Sequence, residues 1–170
     1  MRKILFTAIF SLLPLCAAAA PSEEDKLFAQ LKAADSAEAA KPIEEKLSQL
    51  FRVSGSPSVD LLMSRAGSAL SQADNGTARA LVDALTHIAP HYAEGWRLRA
   101  HLQQGAGDDS GAMISLGRAV ALNPRHFAAM TELAEMLEDY GDKAGALKLY
   151  RRALVLDPKM KVAAERQKAL

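Results

Sequence analysis

Two histidines, His87 and His91, stand at the spacing of metal ligands on one face of a helix. A pair of imidazoles at that spacing can hold zinc when further ligands complete the shell. Pro90 lies between them, and proline disfavours helix in the residue that precedes it, so a helix is predicted to end there. No second group of ligands accompanies the pair in the sequence. We therefore expect solvated loop histidines, with no bound metal and no other cofactor.

The sequence offers no set of residues for nucleophilic catalysis. The single cysteine, Cys16, lies in the apolar N-terminal segment. The serines Ser54, Ser56 and Ser58 stand in a linker, without the glycine elbow that presents the serine of a hydrolase. An acid, a base and a nucleophile that converge on one site are the usual signature of an active site, and none is recognisable here. We expect a protein that is not an enzyme.

The charges of the chain are nearly balanced, with 21 Lys and Arg against 20 Asp and Glu. Such a balance gives no general attraction to nucleic acid, which is therefore not an expected partner. Aromatic residues make up only 5% of the chain, whereas Ala and Leu are abundant. Ala and Leu favour helices, because they lose little conformational freedom there, and strands prefer β-branched and aromatic residues.

Residues 1–19 are predicted to be a signal peptide. Arg2 and Lys3 form a basic start, an uncharged apolar run follows, and alanines end it in the pattern that a signal peptidase accepts. We place cleavage after Ala19, which predicts a periplasmic or secreted protein with no membrane insertion after cleavage. The alternative is an uncleaved anchor helix, which the shortness of the apolar run and its internal proline disfavour.

Three prolines recur at a fixed interval, since Pro90, Pro124 and Pro158 are each separated by 34 residues. Each follows a similar run of alanine and leucine. A fixed period of this length indicates an array of helical repeats, in which each copy buries its apolar face against its neighbours.

The period and the residues within it resemble the tetratricopeptide repeat (TPR). The resemblance places three copies at 59–92, 93–126 and 127–160, and it implies an all-α fold, a right-handed α-solenoid of helix-turn-helix repeats. Arg65 and Arg99 depart from the family's leucine, so the first copy depends mainly on its phase. The residues expected to pack the repeats together are Trp96, Ala112, Leu116, Ala119, Pro124, Leu133, Ala134, Ala146, Tyr150, Ala153 and Pro158.

A short polar turn separates the two helices of each copy. In each turn we expect a glycine to supply the left-handed backbone that ends the first helix, and an aspartate to cap the second. The three turns are Ala73–Gly76, Gly107–Asp109 and Gly141–Lys143.

The flanking segments lack the repeat pattern. Residues 20–58 are predicted to form an atypical pair of helices, Glu23–Ala34 and about Ala37–Arg52, followed by a linker. Asp35 and Glu38 have the spacing of a capping box for the second helix. We expect this pair to close the first end of the stack, and residues 161–170 to form a C-terminal capping helix.

The family resemblance implies a function in binding, because TPR proteins hold peptides in a groove lined by the first helix of each repeat. By position, the groove residues would be Arg97, His101, Glu132, Glu135, Glu138 and Asp139. The family's Lys, Arg and Asn clamp for a terminal carboxylate is missing. The acidic third copy instead predicts a protein or peptide partner with a basic segment. The alternative is that these charges are only a solvated helix face.

These observations predict a non-catalytic interaction module, or adaptor, of the cell envelope. A self-associating structural or assembly scaffold is the alternative. In that case exposed aromatic side chains at Phe51, Trp96 or Phe127 would supply the apolar contact between copies.

Overall fold

The computed structural model describes residues 20–170, and the predicted signal peptide, residues 1–19, lies outside the described residues. Nine helices and no strand account for the described part of the chain. In chain order the helices are α1 (Glu23–Ala33), α2 (Ala37–Phe51), α3 (Pro57–Ser71), α4 (Asn75–Ile88), α5 (Ala93–Gly105), α6 (Asp109–Leu122), α7 (Phe127–Asp139), α8 (Lys143–Leu156) and α9 (Lys161–Ala169). None of these described helices is long and apolar enough to cross a membrane.

Helices α3 to α8 form three consecutive antiparallel pairs, as the all-α solenoid of helical repeats requires. Fully buried small side chains allow the paired helices to approach closely, and a few large side chains fill the space that remains. The fully buried members of the predicted packing set are Ala112, Leu116, Ala119, Ala134, Ala146, Tyr150 and Ala153. Trp96 and Leu133 are partly buried, whereas Pro124 and Pro158 are exposed. These two prolines therefore shape turns and do not fill the interior.

The turns inside the repeats follow the chemistry expected of them. Asp74, Asp108 and Asp142 each precede a second helix and accept a hydrogen bond from a backbone N–H three residues later, at 3.0, 2.9 and 2.9 Å. Gly107 and Gly141 supply the left-handed backbone, with φ of 76° and 86°. In the first repeat that position is Ala73, with φ of 57°, and not a glycine. This alanine accepts a conformation that usually favours glycine.

Local capping also fixes the N-terminal helices. Ser22 and Asp25 form a reciprocal capping box at the start of α1. The predicted cap of α2 was wrong, because Ser36 and not Asp35 accepts the hydrogen bond from the N–H of Ala39, at 3.2 Å. Glu38, the other half of the predicted box, instead pairs with Lys161 at 3.0 Å.

The helices α1 and α2, which we call the N-terminal hairpin, do not close the first end of the stack, so that prediction was wrong. The hairpin lies along the edge of the solenoid where the turns between repeats meet. The ring of Phe28 contacts that of Phe127 edge-on, with ring centroids 6.3 Å apart. The ring of Phe51 packs on that of His126, with centroids 4.8 Å apart. At the turn between the first and second repeats, the hydroxyl of Tyr92 donates to the carbonyl oxygen of Arg52, just after α2, at 2.6 Å.

Apolar burial explains this position. Buried side chains of the hairpin, among them Leu27, Leu31 and Leu47, join the same core as Met130 and Tyr150 of the third repeat. A separate core of Ala66, Ala69, Ala78, Val82 and Leu102 holds the first repeat against the second. The hairpin thus buries its apolar stripe on the far repeat, where its side chains become part of one continuous core.

Candidate partner-binding groove

The first helices of the repeats, α3, α5 and α7, line one face of the solenoid. Two clefts open on this face. The cleft between α3 and α5 has a volume of about 670 Å³, and the cleft between α2 and α7, the α2–α7 cleft, has a volume of about 560 Å³. Arg52, just after α2, lines both of them. The second cleft has one wall from the N-terminal hairpin, so it exists only because the hairpin folds back onto the third repeat.

Three of the predicted groove residues are brought together between the two clefts. The guanidinium of Arg97 donates to Glu132, with Nη2–Oε1 at 2.6 Å and Nε–Oε2 at 3.1 Å. It also donates from Nη1 to Oε1 of Glu94 at 2.9 Å. His101 Nε2 lies 3.1 Å from Oε2 of the same Glu132. Arg97, His101 and Glu132 therefore satisfy one another across the second and third repeats.

The network continues inward to a buried pair that the sequence did not single out. His126 Nε2 lies 2.8 Å from Oε2 of Glu94, and both side chains are almost fully buried. His126 is also the N-cap of α7, where its Nδ1 accepts the N–H of Ala129 at 3.3 Å. An Nδ1 that accepts leaves the proton on Nε2, so the imidazole donates to Glu94.

These contacts determine the charge of the two glutamates. Burial alone would raise the pKa of Glu94, but the hydrogen bond from His126 and the charge of Arg97 hold that pKa below its ordinary value. Burial is likewise outweighed at Glu132, where hydrogen bonds from His101 and Arg97 lower the pKa. Both carboxylates are therefore ionised and neutralised by partners within the fold.

Glu138 and Asp139, the last predicted groove residues, lie at the far end of α7. Glu138 accepts a hydrogen bond from the hydroxyl of Tyr150 at 3.1 Å and from Arg166 Nη1 on α9 at 3.3 Å. Burial and this neighbouring carboxylate raise the pKa of Tyr150. Asp139 is exposed and is the last residue of α7. Glu138 thus holds the C-terminal helix α9 in place through Arg166, and it does not join the network of Arg97, His101 and Glu132.

The α2–α7 cleft contains glutamates that form no ion pair among the described residues. Glu135 on α7 faces Glu44 and Glu45 on α2, above an apolar floor that includes Phe127 and Met160. Burial and the adjacent carboxylates, first that of Glu132, raise the pKa of Glu135 above its ordinary value. The two glutamates of α2 escaped the sequence analysis, because nothing in their local pattern shows that the hairpin returns to the third repeat.

Two other predictions concern residues outside the groove. His87 lies in the last turn of α4, and His91 lies in the turn after that helix. Both side chains are exposed. In the described part of the chain, no group of three or more His, Cys, Asp and Glu is arranged to hold a metal ion. Phe127 is buried and Phe51 packs on Phe28, so neither is the exposed aromatic contact expected for self-association.

Trp96 is the third aromatic of that prediction, and it is only partly buried. Its indole Nε1 donates to the carbonyl oxygen of Pro90 at 2.9 Å. The guanidiniums of Arg99 and Arg118 lie 5.6 and 5.8 Å from its ring centroid. These contacts hold the ring against the turn between the first and second repeats.

Known proteins with the same architecture were found by sequence and by structure. No profile of a known protein family matches the chain. A TPR repeat-containing protein of Rhizobium etli is 30% identical over 146 residues, which cover 86% of this chain and 72% of that protein. The match extends well beyond the 102 residues of the three predicted repeats, three copies of 34.

Solved TPR structures share the fold. The first TPR domain of Spaghetti bound to an HSP90 peptide is 19% identical, with a TM-score of 0.60, over 65% of this chain and 88% of that one. The type III secretion chaperone SycD of Yersinia enterocolitica, in complex with a peptide of the translocator YopD, is 16% identical. It also has a TM-score of 0.60, over 67% of this chain and 92% of its own. The sequence relative and the shared repeat architecture agree: the chain belongs to the tetratricopeptide repeat family.

Proposed function

We propose that the protein is a non-catalytic interaction module, or adaptor, of the cell envelope, and that it holds a basic segment of a partner polypeptide in the groove. The α2–α7 cleft is the subsite that receives a lysine or arginine side chain of that segment. The envelope location depends on the signal peptide predicted for residues 1–19.

The excess of negative charge in the α2–α7 cleft carries this proposal, since four glutamates line it against one basic side chain, that of Arg52. Glu45 and Glu135 line the cleft, and within residues 20–170 neither of them forms an ion pair. A raised pKa at Glu135 means that its surroundings oppose its charge, so a cation in the cleft would relieve that opposition. The apolar floor suits the aliphatic stem of Lys or Arg, which packs on apolar surface while its charged end reaches the carboxylates.

The similar structures support a peptide partner. The Spaghetti domain is bound to an HSP90 peptide, and SycD is bound to a peptide of its translocator. The charges differ in this chain, because the one basic residue expected in the groove, Arg97, is already occupied by Glu94 and Glu132. Arg52 is the other basic side chain that lines the two clefts, so an anionic peptide end would find one cation, whereas a basic segment would find several carboxylates.

Reversing the cleft charges tests the proposal. Glu45→Lys and Glu135→Lys should each weaken binding of a lysine-rich peptide by about tenfold at low salt, measured by fluorescence anisotropy. Glu165→Lys is the matched control, since Glu165 is an exposed acid on α9 that lies outside the cleft. Equal weakening by the control would show a general charge effect, and unchanged binding in both cleft variants would remove the cleft from the proposal.

The partner itself should be sought in the envelope. Crosslinking in intact cells, followed by identification of the captured polypeptide, should return a protein whose contact region is rich in Lys or Arg. The same partner should be lost from the Glu135→Lys variant and retained by Glu165→Lys. Fractionation of the cells tests the location separately, and a purely cytoplasmic protein would contradict the envelope assignment.

The alternative, a self-associating scaffold, has less structural support than the sequence suggested. Two of its three candidate contacts, Phe51 and Phe127, are used inside the fold. Most of the large exposed apolar side chains belong to different helices, as Ile114 on α6 and Val155 on α8 illustrate, although Val53 and Ile88 line one cleft together. Sedimentation over a wide concentration range distinguishes the two functions, since a scaffold requires reversible association.

A further inference from the structure

Asp157 is a buried carboxyl group with one oxygen left unsatisfied. It is the C-cap of α8 and is fully buried. Its Oδ1 accepts the N–H of Lys159 at 3.0 Å, but its Oδ2 has no hydrogen-bond partner among the described residues. A buried carboxylate oxygen without a donor is strongly disfavoured, and the carbonyl end of a helix disfavours a negative charge further.

The chain builds the same turn in its middle repeat with an amide. Asn123, 34 residues earlier, is the C-cap of α6, and its Oδ1 accepts the N–H of Arg125 at 2.9 Å. The asparagine carries hydrogen atoms on the second position of its side chain, where Asp157 carries a bare oxygen. What the third repeat lacks, relative to the second, is therefore a hydrogen-bond donor at this position.

The group that faces Asp157 is another carboxyl, that of Glu44 on α2. Burial, followed by the neighbouring carboxyl of Asp157, raises the pKa of Glu44 to about 7. Burial also raises the pKa of Asp157. Two neighbouring carboxyl groups, of which Asp157 is fully buried and Glu44 half-buried, resist ionising together, and a single proton between them satisfies the oxygen that lacks a donor.

The other charges around the pair do not replace that proton. On α2, Lys41 favours the ionised form of Glu44 and Glu45 opposes it, both less strongly than Asp157 acts. Across the cleft α7 presents the acids Glu132 and Glu135, and Arg52 lines the same cleft. Lys161, at the start of α9, is already paired with Glu38.

We propose that Glu44 and Asp157 share one proton, and that this proton latches the N-terminal hairpin onto the third repeat. Loss of the proton leaves two carboxylates facing each other, and the hairpin loosens. The α2 wall of the α2–α7 cleft then moves away from α7, so the state of this pair sets whether the cleft is formed.

The direction of the pH dependence follows from the proton count. A Glu44 side chain freed from the solenoid would release its proton near its ordinary value of 4.5, whereas the docked pair keeps one proton up to about pH 7. Between these limits the docked state binds more protons, so its advantage falls as the pH rises through this range. The N-terminal hairpin is therefore held firmly on the third repeat in mildly acidic solution and only weakly above neutral pH.

Hydrogen exchange of the full-length chain tests the latch without any partner. With rates corrected for intrinsic exchange, the amides of α1 and α2 should lose about tenfold in protection between about pH 6 and about pH 8.5, while those of α5 and α6 serve as internal reference. Asp157→Asn restores the amide that the middle repeat uses, and it should keep the hairpin protected at both pH values. Glu44→Gln provides a donor from the other side, and it should do the same.

A separate variant controls for general charge. Asp35→Asn removes an exposed acid from the turn between α1 and α2, apart from the pair, and should keep the pH-dependent loss seen in the unmodified protein. Equal protection of the unmodified hairpin at both pH values would overturn the latch. So would an undiminished loss in both Asp157→Asn and Glu44→Gln, since the titrating group would then lie elsewhere.

Discussion

Arg97 on α5 and Glu132 on α7 form a two-pronged ion pair across the boundary between the second and third repeats, with Nη2–Oε1 at 2.6 Å and Nε–Oε2 at 3.1 Å. Glu94 closes the other side of the guanidinium at 2.9 Å, and its second oxygen is held by His126. Arg97 and Glu132 were predicted to form part of a peptide-binding face, but in the structure they pair with one another and join the second repeat to the third.

Arg97→Met should destabilise the protein by about 3 kcal/mol, because it leaves the almost fully buried Glu94 and the partly buried Glu132 without their shared cation. Chemical denaturation measures the change. Adding Glu132→Met to the same chain should restore part of the loss, since the double variant no longer buries the orphaned charge of Glu132. Strict additivity of the two substitutions would show that the pair contributes nothing to the joint.

Acid should weaken the same joint. The pKa values of Glu94 and Glu132 are lowered in the folded protein, so their contribution is present above their ordinary value of 4.5 and is lost as the pH falls through the lowered folded values. Denaturation curves collected at a series of acidic pH values should show this loss. Glu132→Gln should be less stable near neutrality but should lose less on acidification, and a variant with the unmodified acid slope would contradict the assignment.

Gly117 and Gly145 should respond oppositely to alanine. Both lie inside second helices, where Gly→Ala usually stabilises by about 0.5–1 kcal/mol. A Cβ at Gly117 meets open space, so Gly117→Ala should show that gain. A Cβ at Gly145 would lie 2.8 Å from Cγ of Asp142, the N-cap of α8, and must push this cap aside. Because a lost cap costs about 1 kcal/mol, Gly145→Ala should give no gain or a loss.

The cap explanation has its own control. In an Asp142→Ala background the carboxylate is gone, and Gly145→Ala should then stabilise α8 as it does in an ordinary helix. Thermal unfolding of the four chains completes the cycle. The cap would play no part if Gly145→Ala raised the melting temperature as much with Asp142 present as without it.

Ala146→Trp should destabilise the third repeat by about 1–3 kcal/mol or more, because Ala146 is fully buried where α7 and α8 meet and a large ring overpacks the contact. Ala144→Trp is the matched control, since Ala144 is exposed in the same helix. The control should melt close to the unmodified protein. A normal melting temperature for Ala146→Trp would place α7 and α8 farther apart than the structure has them.

The sequence alone determined the features that depend on contacts within one repeat or between adjacent repeats. Alanines such as Ala112, Ala119 and Ala146 recur with the period of the helix pair, and an aspartate caps each second helix. These interactions involve residues close in the chain, so their spacing is visible in the sequence. The exception at Ala73 shows the limit, because an alanine there adopts the left-handed backbone that usually favours glycine.

Tertiary structure decided where the N-terminal hairpin lies and which groove charges remain available. An apolar stripe such as that of Leu27, Phe28 and Leu31 predicts that this face of the helix is buried. It does not predict which surface buries it, because any apolar surface of suitable size can do so. Burial of apolar area has no direction, and so the chain pattern could not distinguish the first end of the stack from the third repeat. Only the folded chain brings Glu44 to Asp157 and forms the α2–α7 cleft.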